Sequence, residues 1–371
     1  MTTDKYIRLC IAMATFLGAN DLVTSGGRGA LAAPPRRAMP VEDLILVAKL
    51  NHEAPEKILE VLDANGKSRG HLDLGKLLNV QRVRVSPDGK HLAFARFIPL
   101  SGNGPNARGQ YAYPQDIYVA DLPFTGPPKE PAIKGVIDPS IAWSGDGQSL
   151  YVSGCPKDAN VNQNNMQNRM VLRKTIRYDL ATKAEKPFNL PPFHAVQDVT
   201  PDGKTLLTQT KVWSSNQITF STYLVPLDTL KPKLVGAAED GFDQARFSPD
   251  GTKILGTRMK YTKSKDLGLF VHDLEKGKAV KVPLADEIAD SLLNGTAVWS
   301  PDGKRVAVLW EDRVAGPGVA GGGGFGATAK RITIVDSNGA NAKTIREFQP
   351  DEYVLSIEWA RPRFGEMTED K

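Results

Sequence analysis

The sequence predicts an all-β protein, a six-bladed β-propeller with four antiparallel strands in each blade. Three observations carry that prediction. A turn tetrapeptide occurs five times, as Ser86-Pro87-Asp88-Gly89, Ser144-Gly145-Asp146-Gly147, Thr200-Pro201-Asp202-Gly203, Ser248-Pro249-Asp250-Gly251 and Ser300-Pro301-Asp302-Gly303. Its period of roughly 50 residues marks stacked supersecondary units. Each copy is bracketed by short apolar runs, and two more such runs precede the next copy. The two chain ends carry complementary parts of one further unit.

Each tetrapeptide has the chemistry of a tight hairpin turn. Proline presets φ at the second position, Asp suits the third, and Gly accepts φ > 0 at the fourth. The runs before the turn read as first strands: Val83–Val85, Ile141–Trp143, Ala245–Phe247 and Ala297–Trp299. The runs after it read as second strands: Leu92–Ala95, Leu150–Val152, Leu206–Thr208, Ile254–Gly256 and Val306–Leu309. Their β-branched, aromatic and aliphatic residues suit a pleated, buried surface. Third strands end in an acidic or turn residue, as in Asp116–Leu122, Thr175–Leu180, Tyr223–Leu227, Gly268–Leu274 and Arg331–Asp336. A poorer fourth strand follows, of which Lys278–Leu284 is the example. Near the N-terminus, Leu44–Ala48, Lys57–Asp63 and Ser68–Leu74 match second, third and fourth strands without a first. Val354–Trp359, at the other end, matches a first strand with no turn after it. Pairing these pieces closes a ring and removes exposed sheet edges. Five contiguous blades and one shared blade make six.

The Ser-Pro-Asp-Gly turns and the segment Ile117-Tyr118-Val119-Ala120-Asp121-Leu122 resemble the TolB-like, WD-like propeller repeat. The resemblance runs from about Leu44 to Trp359 and is specific for fold rather than function. The opening Met39-Pro40-Val41-Glu42-Asp43-Leu44 is also similar to the start of propellers in prolyl-oligopeptidase-like enzymes, which carry a hydrolase domain after the propeller; Lys371 falls where that domain would begin.

The reading divides the chain into residues 1–38, residues 39–361 (the propeller) and a disordered tail at 362–371. Lys5 and Arg8 precede the apolar stretch Leu9–Ala19, and small residues end at Ala30-Leu31-Ala32-Ala33. That pattern resembles a secretory signal peptide cleaved near Ala19 or Ala32, and it is too short to span a bilayer. The alternative is a disordered extension. Export implies a periplasmic or secreted protein; a non-functional signal would leave it cytoplasmic. With Cys10 removed, Cys155 is the one cysteine left and forms no internal disulfide. The formal charge of +5 over 371 residues is a mild bias. No Lys/Arg block or aromatic–basic motif points to nucleic acid. A monomer without a membrane span is expected.

Propeller geometry places the turns between strands one and two, and three and four, on one face. The opposite face receives the inter-blade loops and the long insertions at Ile98–Gln115, Gly154–Arg169, Lys211–Phe220 and Glu311–Lys330. Long loops on a rigid scaffold are where function concentrates. Tyr111, Tyr113, Trp213, Tyr261 and Phe325 lie in such loops and suit a protein, peptide or sugar partner; packing between loops is the alternative use. Asp138, His194, Asp243 and Asn294 precede innermost strands and are placed to ring the channel mouth. There they either bind a cation or polar ligand or cap loop amides.

Catalytic motifs are absent from the sequence. Gly316–Gly321 matches G-x-G-x-x-G, but no helix pattern opens there, and more glycine follows. There is no G-x-S-x-G nucleophile elbow. The five histidines lack zinc-ligand spacing. Asp63-Ala64-Asn65-Gly66 reads as a hairpin turn rather than a calcium loop. No catalytic residue, metal or cofactor is assigned. The expectation is a non-catalytic scaffold in the cell envelope that binds a protein or peptide through its long-loop face. Two alternatives stay open. One is an enzyme at the channel mouth, similar to polysaccharide-lyase propellers, using His194, Asp138 and Asp243. The other is the stand-alone propeller of a peptidase.

Overall fold

The computed structural model describes residues 42–50, 59–74, 77, 80–97, 114–156, 171–214, 217–237, 240–258, 267–285, 288, 296–312, 329–349 and 352–362. They belong to one compact unit, Val41–Lys371, and form an all-β propeller. Strands β1 (Leu44–Leu50), β2 (Leu59–Asp63) and β3 (Ser68–His71) share a sheet with the last strand, β23 (Tyr353–Ala360), in the order β23-β1-β2-β3. The C-terminal strand therefore occupies the first-strand position of the N-terminal sheet, with Ile45 opposite Trp359 and Val47 opposite Ile357.

The next sheet has seven strands in sequence order: β4 (Val80–Val85), β5 (His91–Phe97), β6 (Pro114–Asp121), β7 (Ile133–Trp143), β8 (Ser149–Pro156), β9 (Lys174–Asp179) and β10 (Glu185–Phe188). Three four-stranded sheets follow. They are β11 (Ala195–Val199), β12 (Thr205–Ser214), β13 (Gln217–Pro226) and β14 (Lys233–Val235); β15 (Asp243–Phe247), β16 (Lys253–Arg258), β17 (Gly268–Asp273) and β18 (Lys278–Lys281); and β19 (Ala297–Trp299), β20 (Arg305–Asp312), β21 (Ala329–Asp336) and β22 (Lys343–Glu347).

The seven-stranded sheet corrects one expectation. The sequence pattern puts Asp138 in a loop between blades, yet β7 passes through it without a break. The N-terminal part of β7 pairs with β6 and its C-terminal part with β8. Pro139 sits at the β-bulge between Ile137 and Ser140, where proline's missing N–H costs no ladder bond. A second correction concerns Lys211–Phe220. Its alternating β-branched and aromatic residues extend the ladder from Thr205↔Pro226 to Ser214↔Gln217, so this insertion is a long hairpin rather than an irregular loop.

The tetrapeptides fold as their chemistry dictates. The Ser300 hydroxyl donates to Asp302 at 2.6 Å and accepts from the Arg305 amide at 2.9 Å, while the Gly303 amide closes the turn on the Ser300 carbonyl. Gly89, Gly147, Gly203, Gly251 and Gly303 have φ of 71°, 69°, 70°, 72° and 69°, the left-handed region that favours glycine. The Ser144 hydroxyl and the Gln148 amide hold the Asp146 carboxyl below the usual carboxylate range.

The strands nearest the axis lie side by side: β23 against β4, β4 against β7, β7 against β11, β11 against β15, β15 against β19, and β19 against β23. Apolar clusters fill the spaces between sheets. One joins Leu46 and Leu59 to Leu92, Phe94 and Tyr118. Another joins Ile45 and Val47 of the first sheet to Val298, Ala307 and Ile332 of the last, through Ile357 and Trp359 of β23. A buried ion network reinforces that seam. Lys49 Nζ donates to Glu60 and to Glu352, both at 2.9 Å, and Arg346 donates to the other Glu60 oxygen at 3.0 Å.

Candidate functional site at the channel mouth

The axial strands β4, β7, β11 and β15 share one irregularity. In each, the register against the next strand shifts within the strand: between Gln81 and Arg84, Ile137 and Ser140, Val196 and Asp198, and Asp243 and Arg246. A bulge inserts an extra residue and re-aims side chains. Arg82, Asp138 and Gln244 stand in these bulges with φ of 54°, 49° and 52°. Left-handed backbone is uncommon outside glycine, and such strain collects at functional positions. Opposite two of the bulges the next strand carries glycine. A Cβ on Gly154 would lie 2.3 Å from Val136 Cγ1, and one on Gly256 would lie 2.3 Å from Phe242 Cβ.

Asp138 is the hub of this group. Its Oδ1 accepts from Arg82 Nη2 and its Oδ2 from Arg173 Nη2, both at 3.0 Å. Arg173 Nη1 also donates to the carbonyls of Asp138 and Ser153, which fixes its fork. The crowding of surrounding atoms pushes the Asp138 carboxyl up, although its side chain stays half exposed, but Arg173, Arg82 and Lys211 outweigh it and hold the group below the usual range. Asp243 differs. Burial raises its carboxyl, Asp138 adds to that rise, and Lys211, Gln209 and Arg82 offset only part of it. The structure thus brings Asp138 and Asp243 into one electrostatic group with Arg82 and Lys211. Beside them a polar cavity of about 400 Å³ is bordered by Arg82, Arg84, Gln244, Thr296, Glu311 and Lys330. Burial lowers the Lys330 ammonium, which donates to the Val354 carbonyl at 2.8 Å.

His194 has a different setting. Its side chain is buried, its Nδ1 lies 2.7 Å from Thr208 Oγ1, and its ring packs on Tyr223 at 4.7 Å. Burial depresses its pKa to about 4, so it is neutral at physiological pH. Trp213 lies on β12 with its backbone opposite Ile218. Tyr111, Tyr113, Tyr261, Phe325 and Asn294 lie outside the described residues. Arg82, Arg173 and Gln244 were not anticipated. The one available signal was a polar residue four positions before the turn Ser, which Arg82 and Gln244 share. Among the described residues, no three His, Cys, Asp or Glu side chains are grouped to hold a metal ion, and no helix is long and apolar enough to cross a membrane.

No family model matches the sequence, and no curated protein matches it. Solved structures do. TolB from Acinetobacter baumannii aligns with a TM-score of 0.55 at 16% identity, over 86% of this chain and 66% of that one. The chain has the fold of TolB-like propellers. A putative TolB from Agrobacterium tumefaciens aligns with a TM-score of 0.50 at 14% identity, over 86% of this chain and 98% of that one. The chain therefore spans just under two thirds of the Acinetobacter protein and nearly all of the Agrobacterium one. An oligogalacturonate lyase in complex with manganese overlaps more loosely, with a TM-score of 0.41 at 14% identity over 73% of this chain and 66% of that one, and has no bearing on chemistry here. At these identities the shared property is the fold.

Proposed function

We propose that the chain is a six-bladed, closed TolB-like propeller that binds a protein or peptide partner through its long-loop face, as a non-catalytic scaffold in the cell envelope. The blade count rests on reading β7 twice, as the last strand of one blade and the first of the next, and on the axial strands meeting from β23 round to β19. Closure rests on β23 in the N-terminal sheet. The observation that carries the binding reading is the strained, hydrogen-bonded rim of Arg82, Asp138 and Gln244, a fixed set of charged and polar groups that bulges present at the mouth. Rigid polar groups, on a face to which the sequence also assigns aromatic loops, would give a partner both register and anchorage.

Scaffold is favoured over catalyst because Asp138 and His194 are each held by a hydrogen-bond partner. The Asp138 carboxylate is taken by two guanidinium groups, and His194 is committed to Thr208. The apolar N-terminal segment supports export, and TolB likeness supports a protein partner as the class of ligand.

The test is affinity capture of the exported chain from its host, with partners identified by mass spectrometry. A partner retained by the wild type and lost from a Trp213→Ala/Tyr261→Ala variant supports the reading. Retention by that variant, or no partner above background, rejects it.

A further inference from the structure

At the short-turn end the axial strands enclose a second cavity, of about 440 Å³. The repeat itself builds it. The residue just before each turn supplies the walls, among them Trp143, Phe247, Trp299 and, on β23, Trp359. The residue two before the turn supplies the floor: Arg84, Asp198, Arg246 and Glu358. The tetrapeptide prolines form the rim.

The floor groups are not equally satisfied. Arg84 Nη1 donates to Glu358 Oε2 at 3.2 Å and to the Val83 carbonyl at 2.8 Å, while its buried Nε meets no acceptor among the described residues. Both Asp198 oxygens accept backbone amides, from Val199 at 3.0 Å and Phe247 at 2.9 Å. Arg246 is only 9% exposed, donates to the Gln197 carbonyl at 3.2 Å, and forms no ion pair among the described residues. A guanidinium carries five donors in a planar fork shaped for a carboxylate, and a buried charge lacking a counter-charge is costly.

The walls show an unmet donor as well. The Trp143 indole donates to the Arg84 carbonyl at 3.1 Å, and Trp299 donates to the Arg246 carbonyl at 3.5 Å. The corresponding carbonyl for Trp359 belongs to Val298. Trp359 is 5% exposed, yet its Nε1 is buried and meets no acceptor among the described residues. A cavity with flat apolar walls and an unmatched guanidinium calls for a ligand with a flat apolar body and one acceptor group.

We propose that this cavity binds a small planar monocarboxylate, with the carboxylate on the Arg246 fork and the apolar body among the indoles of Trp143, Trp299 and Trp359. The carboxylate comes from a free acid or from an aromatic chain terminus, and the chemistry is the same. This site is independent of the long-loop face and stands or falls apart from it.

Calorimetry of the full chain with 2-naphthoate tests it, beside the neutral 2-naphthylmethanol and an Arg246→Gln variant whose folding is verified by circular dichroism. The expected result is saturable binding of naphthoate, at least tenfold weaker for the alcohol and for the variant. Equal affinity for acid and alcohol overturns the proposal without recourse to any variant. Undiminished binding by Arg246→Gln overturns it too, as does no saturation by about 1 mM. A tripeptide ending in tryptophan with a free carboxylate separates the sources. If it binds and its amide does not, the ligand is a chain terminus; if neither binds while naphthoate does, it is a free acid. Both results support the carboxylate site.

Discussion

Replacing Gly145 by alanine destabilises this protein, although the repeat has proline at that position in its four other copies. Successive turns pack on one another along the short-turn face. In two pairs the approach is loose enough for a ring: a Cβ on Gly303 would lie 3.4 Å from Pro249 Cδ, and one on Gly251 would lie 3.1 Å from Pro201 Cδ. Between the second and third turns the approach is closer. A Cβ at position 145 would lie 2.6 Å from the Gly203 nitrogen and from the Pro201 oxygen, and 2.8 Å from Gly203 Cα. All three are backbone atoms, which no rotamer change can move aside. Overpacking costs about 1–3 kcal/mol, and a backbone contact belongs at the upper end. Losing the glycine's freedom in the unfolded chain returns roughly 0.4–1 kcal/mol, leaving a net loss of about 2 kcal/mol. At about 2.1 cal/mol/K of unfolding entropy per residue, that loss lowers Tm by roughly 3 °C for a unit spanning Val41–Lys371. Gly145→Pro, which restores the repeat's commonest residue, falls further. Calorimetric or fluorescence-detected melting measures both. A Gly145→Ala protein as stable as the wild type, or more so, refutes the packing argument, since only the lost freedom of the unfolded chain would then decide the outcome.

Other predictions follow from the same contacts. Lys49→Met leaves the buried Glu60 carboxylate with Arg346 as its remaining cation and costs about 1.5–3 kcal/mol in urea unfolding; a loss under about 1 kcal/mol rules out the network as a clamp on the seam. Ser300→Ala removes a buried hydroxyl that serves both Asp302 and the Arg305 amide, and lowers stability by about 1–3 kcal/mol. Stability should also depend on pH. Burial raises both the Asp198 and Glu358 carboxyls to about 7, so the folded state binds protons there that the unfolded state releases, and stability falls as pH rises from about 4 to about 7. His194, depressed by burial to about 4, acts oppositely, because the unfolded chain takes up its proton first as pH drops below 6.5. Above pH 6.5 the His194 contribution is complete and the two carboxyls dominate, so stability declines from there through about pH 7, and Glu358→Gln reduces that decline; a flat or rising profile contradicts the assignment.

The turns, the strands around them and the split terminal blade were legible because their causes are local. Proline, aspartate and glycine fix a turn whatever surrounds it, and short apolar runs have few other uses. The mouth was legible only in part. Asp138 and Asp243 were visible as acidic residues near inner strands, but Arg82, Arg173 and Gln244 join them through bulges whose position depends on the neighbouring strand. The cavity at the other end was hidden for a different reason: Arg84, Asp198, Arg246 and Glu358 are remote in sequence and meet only because their strands share an axis. The glycine at 145, where the other copies have proline, follows from the backbone of the next turn, which no single copy of the repeat reveals.

Cross-linking mass spectrometry of the captured complex, with an amine-reactive reagent, tests the central claim most directly, because lysines mark the two faces separately. Lys90, Lys204 and Lys304 follow the short turns and are exposed, whereas Lys260 and Lys263 lie in a loop assigned by sequence to the other face. The account predicts partner cross-links to Lys260 and Lys263 and none to Lys90, Lys204 or Lys304. Cross-links confined to the short-turn lysines would contradict it.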